Sequence, residues 1–100
     1  MDFKVLAVGD VVGIPGRARV CHSLRQLKAQ TKADFVIVNG ENASVVGMTP
    51  NQAEDIFDAG ADVITMGNHT FGKRELVDYL DENSRILRPA NYAPQAPGKG

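Results

Sequence analysis

Three short apolar runs, each followed closely by glycine and then by a stretch of helical periodicity, set the rhythm of this chain. Residues 3–8 (FKVLAV), 34–38 (DFVIV) and 62–66 (DVITM) are brief, mostly apolar and flanked by turn-forming residues, the pattern of buried strands. After the first run, Gly13, Pro15 and Gly16 break the chain, and Val20, Leu24 and Leu27 then recur four and three residues apart. That spacing predicts an amphipathic helix over about 16–31. Cys21 adjoins its apolar face and is expected in the core, whereas His22 lies among polar neighbours and is expected outside. Thr49-Pro50-Asn51-Gln52 reads as a helix start: Thr49 caps, Pro50 takes the first helical position, and Gln52 reaches back to close the box. Ala53, Ile56 and Phe57 form the inward face of that helix, and Gly60 ends it. A third helix is predicted over 72–82 with Leu76, Val77 and Leu80 inward, followed by a short fourth strand at Ile86-Leu87. Pro89, Pro94, Pro97, Gly98 and Gly100 make the remainder read as an irregular loop.

Strand, loop and helix repeated in this way predict βαβ units and an α/β fold with a largely parallel sheet, in one domain over 1–100. Right-handed crossovers would put all three βα loops at one edge of the sheet, the edge at which open α/β sheets bind ligands.

Composition narrows the ligand. Eleven basic residues face twelve acidic ones, a formal net charge of -1, which argues against an extended nucleic-acid or membrane surface but leaves room for a small phosphate-bearing molecule. The lone Cys21 forms no internal disulfide, and Met1-Asp2 runs directly into a strand pattern with no basic-then-apolar leader. A reducing, cytoplasmic setting is the expectation.

The three βα loops carry Gly9-Asp10, Gly40-Glu41-Asn42 and Gly67-Asn68-His69. Together they offer two carboxylates, amide oxygens and one imidazole without a thiolate, a donor set that suits hard or borderline divalent cations. Two carboxylates converging without a cation would repel, and a metal removes that cost. Singly, each residue has a plainer reading. Asp10 reads equally as a helix cap or Asx-turn, Glu41-Asn42 as a solvated turn, and Asn68-His69 as loop residues satisfied by backbone. Their recurrence at equivalent strand ends favours a site. Two other classes stay open. A nucleotide-binding module could use Gly9, Gly13 and Gly16 before the first helix, although these form neither G-x-G-x-x-G nor a Gly-Lys-Ser/Thr loop. A structural or regulatory protein could keep the fold without the chemistry.

The strings VGDVVGIPGR, DFVIVNGENA, DVITMGNHTF and RPANY, in this order and spacing, resemble the YmdB-like branch of the calcineurin-like metallophosphoesterases over essentially the whole chain. The sequence shares that branch's departures from the wider superfamily. Val12 stands two residues after Asp10 where a His is usual, and Glu41 stands where most relatives place a bridging Asp. The resemblance implies the N-terminal part of a two-sheet sandwich, two divalent transition-metal ions (iron, manganese or zinc), and phosphodiester hydrolysis with 2′,3′-cyclic nucleotides as the substrate class. It implies that Asp10 binds the first metal, that Glu41 bridges both, that Asn42 and Asn68 complete the site, and that His69 protonates the leaving oxygen. It also implies metal-binding histidines later in the chain, which His22 and His69 do not supply; the 100 residues are thus expected to be a part of a longer protein and inactive alone. A small phosphodiester or nucleotide is the expected partner, with a homo-oligomer left open.

Overall fold

The computed structural model describes residues 2–100. Four strands, β1 (Val5–Val8), β2 (Phe35–Asn39), β3 (Val63–Thr65) and β4 (Ile86–Leu87), alternate with three helices, α1 (Gly13–Thr31), α2 (Pro50–Ala59) and α3 (Arg74–Glu82). The sheet has the order β1-β2-β3-β4 and every neighbouring pair is parallel. Val5 lies opposite Phe35, Ile37 opposite Val63, and Ile64 opposite Ile86. The α/β reading and the parallel sheet therefore hold, and the fourth strand is present.

Strand alternation explains where the core sits. Val36 and Val38 of β2, Ile64 of β3 and Ile86 of β4 are fully buried on one face, against Leu24 of α1, Ala53 and Ile56 of α2, and Leu76 and Leu80 of α3. Their neighbours along the strands, including Val5, Phe35, Ile37 and Val63, point to the opposite face and stay exposed or half-buried. The helices thus cover one side of the sheet. Thr49 caps α2 as expected: its hydroxyl accepts from the Gln52 N–H at 3.3 Å, and the Gln52 side-chain oxygen accepts from the Thr49 N–H at 2.9 Å. Gly60 closes that helix with φ 125°, in the region that favours glycine.

Three expectations need correction. Helix α1 starts at Gly13 and not at Gly16, because Pro15 falls in the first turn, where its missing N–H costs nothing. The Gly16 N–H makes the bond to Val12 O at 3.1 Å. Leu27 shares the apolar stripe of Val20 and Leu24 yet is 41% exposed; among the described residues β1 is the edge of the sheet. Cys21 is exposed, turned away from the sheet toward α2, where its thiol lies 3.7 Å from the Asp55 carbonyl oxygen. The segment after Pro89 is irregular, as expected, and is held by single hydrogen bonds. The Arg88 N–H donates to Lys99 O at 2.8 Å, and the Gly98 N–H donates to the Asp81 carboxylate at 2.7 Å. These bonds fold the segment back over α3.

Thr49→Ala removes the cap hydroxyl and should lower the free energy of unfolding by about 1 kcal/mol in a urea titration; an unchanged midpoint would show that the box adds nothing. Partial burial, with the Asp55 carboxylate adding to it and Arg17 opposing, pushes the Cys21 thiol up from its ordinary value. Less thiolate is then present at a given pH, so iodoacetamide at about pH 8 should label Cys21 more slowly in the folded chain than in urea. Faster labelling of the folded chain would contradict that assignment.

Candidate active site

Parallel pairing brings the ends of β1, β2 and β3 to one edge, and backbone hydrogen bonds knit the loops that follow. The Val11 N–H donates to Asn39 O at 3.3 Å, and the Gly13 and Val45 N–H groups both donate to Asn42 O, at 3.0 and 2.7 Å. The Gly40 N–H donates to Thr65 O at 3.0 Å. The first and second loops are thus tied to each other, and the second is tied to β3.

The three glycines expected to permit tight turns act in three different ways. The turn after β1 is made by Asp10 itself, with φ 40°, while Gly9 has no atom near the place a Cβ would take. Aspartate tolerates this left-handed region better than most side chains do. At Gly40 a Cβ would lie 2.9 Å from both Ile64 and the Met48 sulfur, so the absent side chain is a packing requirement. At Gly67 a Cβ would fall 2.3–2.4 Å from the Glu41 carboxylate oxygens. With the Glu41 side chain where it lies, the third loop passes over it on a bare Cα, and a Cβ there would require the carboxylate to move. The second loop also holds Val45 at φ 69°, an unfavourable conformation for a β-branched residue that costs on the order of 1–3 kcal/mol. Gly47 and Gly72, packed backbone to backbone beside it, lock the second loop against the third.

On this frame the side chains form a connected set. The Asn42 amide nitrogen donates to the Asp10 carboxylate at 2.7 Å, and the Asn42 amide oxygen lies 2.6 Å from His69 Nδ1. The His69 N–H donates to the Glu41 carboxylate at 3.1 Å. Proton logic fixes the orientations. An ionised carboxylate only accepts, so Asn42 must present its NH₂ to Asp10 and its oxygen to His69. That oxygen only accepts, so His69 carries a proton on Nδ1 and keeps Nε2 as its second functional atom. Asp10, Glu41, Asn42 and His69 are therefore brought together. Asn68 sits on the same turn between Gly67 and His69, exposed, and its side chain makes no hydrogen bond among the described residues. His22 is exposed on α1, outside this cluster, as expected.

The sequence model of the family described as YmdB-like protein matches residues 6–100. The chain belongs to the YmdB-like family. Among curated proteins it is 45% identical over 99 residues to a 2′,3′-cyclic-nucleotide 2′-phosphodiesterase of Bacillus subtilis, covering 98% of this chain and 38% of that protein. It is 40% identical over 92 residues to a putative phosphatase/phosphodiesterase of Mycoplasma pneumoniae, covering 90% of this chain and 32% of that protein. Among solved structures, a hypothetical protein from Thermus thermophilus superposes with a TM-score of 0.85 at 37% identity, and a novel phosphatase from Mycoplasma pneumoniae with 0.86 at 36%. These cover 96% and 98% of this chain and 37% of each neighbour. The chain thus spans less than two fifths of the YmdB-like relatives it matches.

Two residues at this edge carried no role in the sequence reading. Thr70 is fully buried and donates its hydroxyl to Gly67 O, and the Tyr92 hydroxyl donates to the same oxygen at 2.9 Å. The signal was present, because GNHT and RPANY are both family strings, but spacing alone does not reveal that they meet. In Gly67→Ala the added methyl must displace either the Glu41 carboxylate or the His69 turn. The His69 amide hydrogen should then exchange with solvent faster than in the parent, while amides of β2 and β3 keep their protection. Unchanged exchange at His69 would mean that the close approach at Gly67 is not a constraint.

Proposed function

We propose that these residues form the N-terminal portion of the active site of a metal-dependent phosphodiesterase acting on small phosphodiesters, with 2′,3′-cyclic nucleotides as the substrate class. The carrying observation is the hydrogen-bonded set Asp10–Asn42–His69–Glu41 at the carboxyl edge of a parallel sheet. The names of the YmdB-like relatives support the reaction class, and the near-neutral charge supports a small substrate over a polymer.

The donor set fits divalent ions in part. Asp10 and Glu41 would hold them through carboxylates, and Asn42 and Asn68 through amide oxygens. The Asn42 oxygen has a second lone pair beyond the one directed at His69. Among the described residues, no three His, Cys, Asp or Glu side chains gather closely enough to hold an ion alone, so further ligands are required for the two ions (iron, manganese or zinc) that the family implies. When bound, such ions acidify the attacking water and neutralise charge on the phosphoryl group.

The protein's own residues contribute orientation and a proton. Asn42 holds the His69 ring by Nδ1 while its NH₂ is held by Asp10. This leaves Nε2 which, when the ring is doubly protonated, can donate the proton that the departing ribose oxygen needs, the ring returning to its neutral Nδ1–H form. The Glu41 carboxylate fixes the backbone of the same turn, so the acid and the proposed ligand Asn68 move together. Amide ligands serve this task because they bind through oxygen without adding charge that would repel an anionic substrate.

His69→Ala in the full-length protein should lower turnover of a 2′,3′-cyclic nucleotide by about 10²–10⁴-fold with metal content unchanged. An activated ester, whose leaving group needs less protonation, should lose less. Loss of metal in the variant would assign His69 a ligand role instead, and a wild-type protein that binds metal without hydrolysis would favour a non-catalytic member of the fold.

A further inference from the structure

The Gly67 carbonyl oxygen is approached by three donors: the Thr70 N–H at 3.0 Å, the Thr70 hydroxyl, and the Tyr92 hydroxyl at 2.9 Å. A carbonyl oxygen has two lone pairs, and both Thr70 donors come from within the turn itself. The tyrosine is therefore not needed to satisfy the oxygen. It comes from 25 residues away, on the segment that folds back over α3. That segment delivers it by several contacts. The Tyr92 N–H donates to Pro89 O at 3.2 Å, closing a turn, and the Tyr92 ring packs on Phe71 with centroids 5.8 Å apart. Gly98 lies against Leu80, and Lys99 bridges to Leu87 beside β4. Gly67 is thereby bracketed, with the Glu41 carboxylate against its bare Cα and the Tyr92 hydroxyl on its carbonyl.

We propose that Tyr92 is a positioning residue for the His69 turn. Its hydroxyl, anchored through the Pro89–Tyr92 turn, holds the Gly67 carbonyl and so sets the placement of Asn68 and His69 relative to Glu41 and Asn42. Glu41 restrains the turn from the β2 side and Tyr92 from the β4 side. With one restraint removed, the turn pivots about the other, and the short contact between His69 Nδ1 and Asn42 lengthens. The catalytic part of this inference rests on the phosphodiesterase reading; the geometric part does not.

The test is Tyr92→Phe in the full-length protein, which deletes the hydroxyl and keeps the ring on Phe71. The expected result is a fall in kcat of about three- to tenfold, the scale of one hydrogen bond, with KM, metal content and Tm close to the parent. The His69 amide, which donates to Glu41, should exchange faster in the variant, while the core amides of β2 and β3 stay as protected as before. Tyr92→Trp, which keeps aromatic packing and returns an N–H donor, should recover part of both readouts. Unchanged kcat together with unchanged His69 exchange would overturn the proposal. A uniform loss of protection and Tm, without a selective effect at His69, would also overturn it by assigning Tyr92 a purely stabilising role. If the wild-type protein hydrolyses no phosphodiester, the phosphodiesterase reading fails, and selective His69 exchange in Tyr92→Phe still decides the positioning role.

Discussion

Parallel strands cannot be joined by a tight turn, and the rest of this molecule follows from that constraint. Each pair needs a crossover, and here each crossover is one helix returning the chain to the same starting edge. The opposite edge then receives every strand end in turn. Asp10, Glu41 and His69, widely separated in sequence, meet there because β1, β2 and β3 are adjacent and point the same way. The helices lie on one face, so the core formed by Val36, Val38, Ile64 and Ile86 serves as the platform beneath the site.

Within the site Asn42 is the junction. Among the described residues it is the one side chain hydrogen-bonded to both Asp10 and His69, and its backbone carbonyl gathers N–H groups from the start of α1 and from its own loop. An amide suits this position where a carboxylate would not. It donates to one neighbour and accepts from the other, whereas a carboxylate would face Asp10 with like charge. The strained Val45 and the interlocked Gly47 and Gly72 show how much surrounding structure is devoted to holding that loop.

Much of this was legible in the sequence for physical reasons. Short apolar runs and helical spacing are local signals, and they located every strand, the α2 cap and Gly60. The recurrence of glycine with a potential ligand after each run marked Asp10, Glu41, Asn42, Asn68 and His69 before any contact was known. What stayed hidden depends on neighbours that are remote in sequence. Pro15 reads as a breaker until its place in the first turn of α1 is known. Leu27 reads as core until β1 is seen to be an edge. Cys21 adjoins the apolar stripe of α1, and only the placement of α2 shows that it turns toward Asp55 and away from the sheet. Gly67 gave a turn signal, but the structure shows the Glu41 carboxylate lying against its bare Cα. The Pro- and Gly-rich tail looked irregular because its order comes from single hydrogen bonds to distant partners, which leave no periodicity.

The strand order has a consequence for how the molecule comes into being. Because spatial neighbours are also neighbours in the chain, each new strand has a finished partner waiting when it emerges, and no contact requires a later segment to thread between earlier ones. Synthesis from the N-terminus can therefore add one βα unit at a time, burying Leu24 and Val36 before Ile64 exists. The pairing of Asp10 with Asn42 belongs to the first such step, the arrival of His69 to the second, and the closure over Gly67 by Tyr92 to a later one. Within these residues the candidate site is thereby completed only after the strands that carry it have paired.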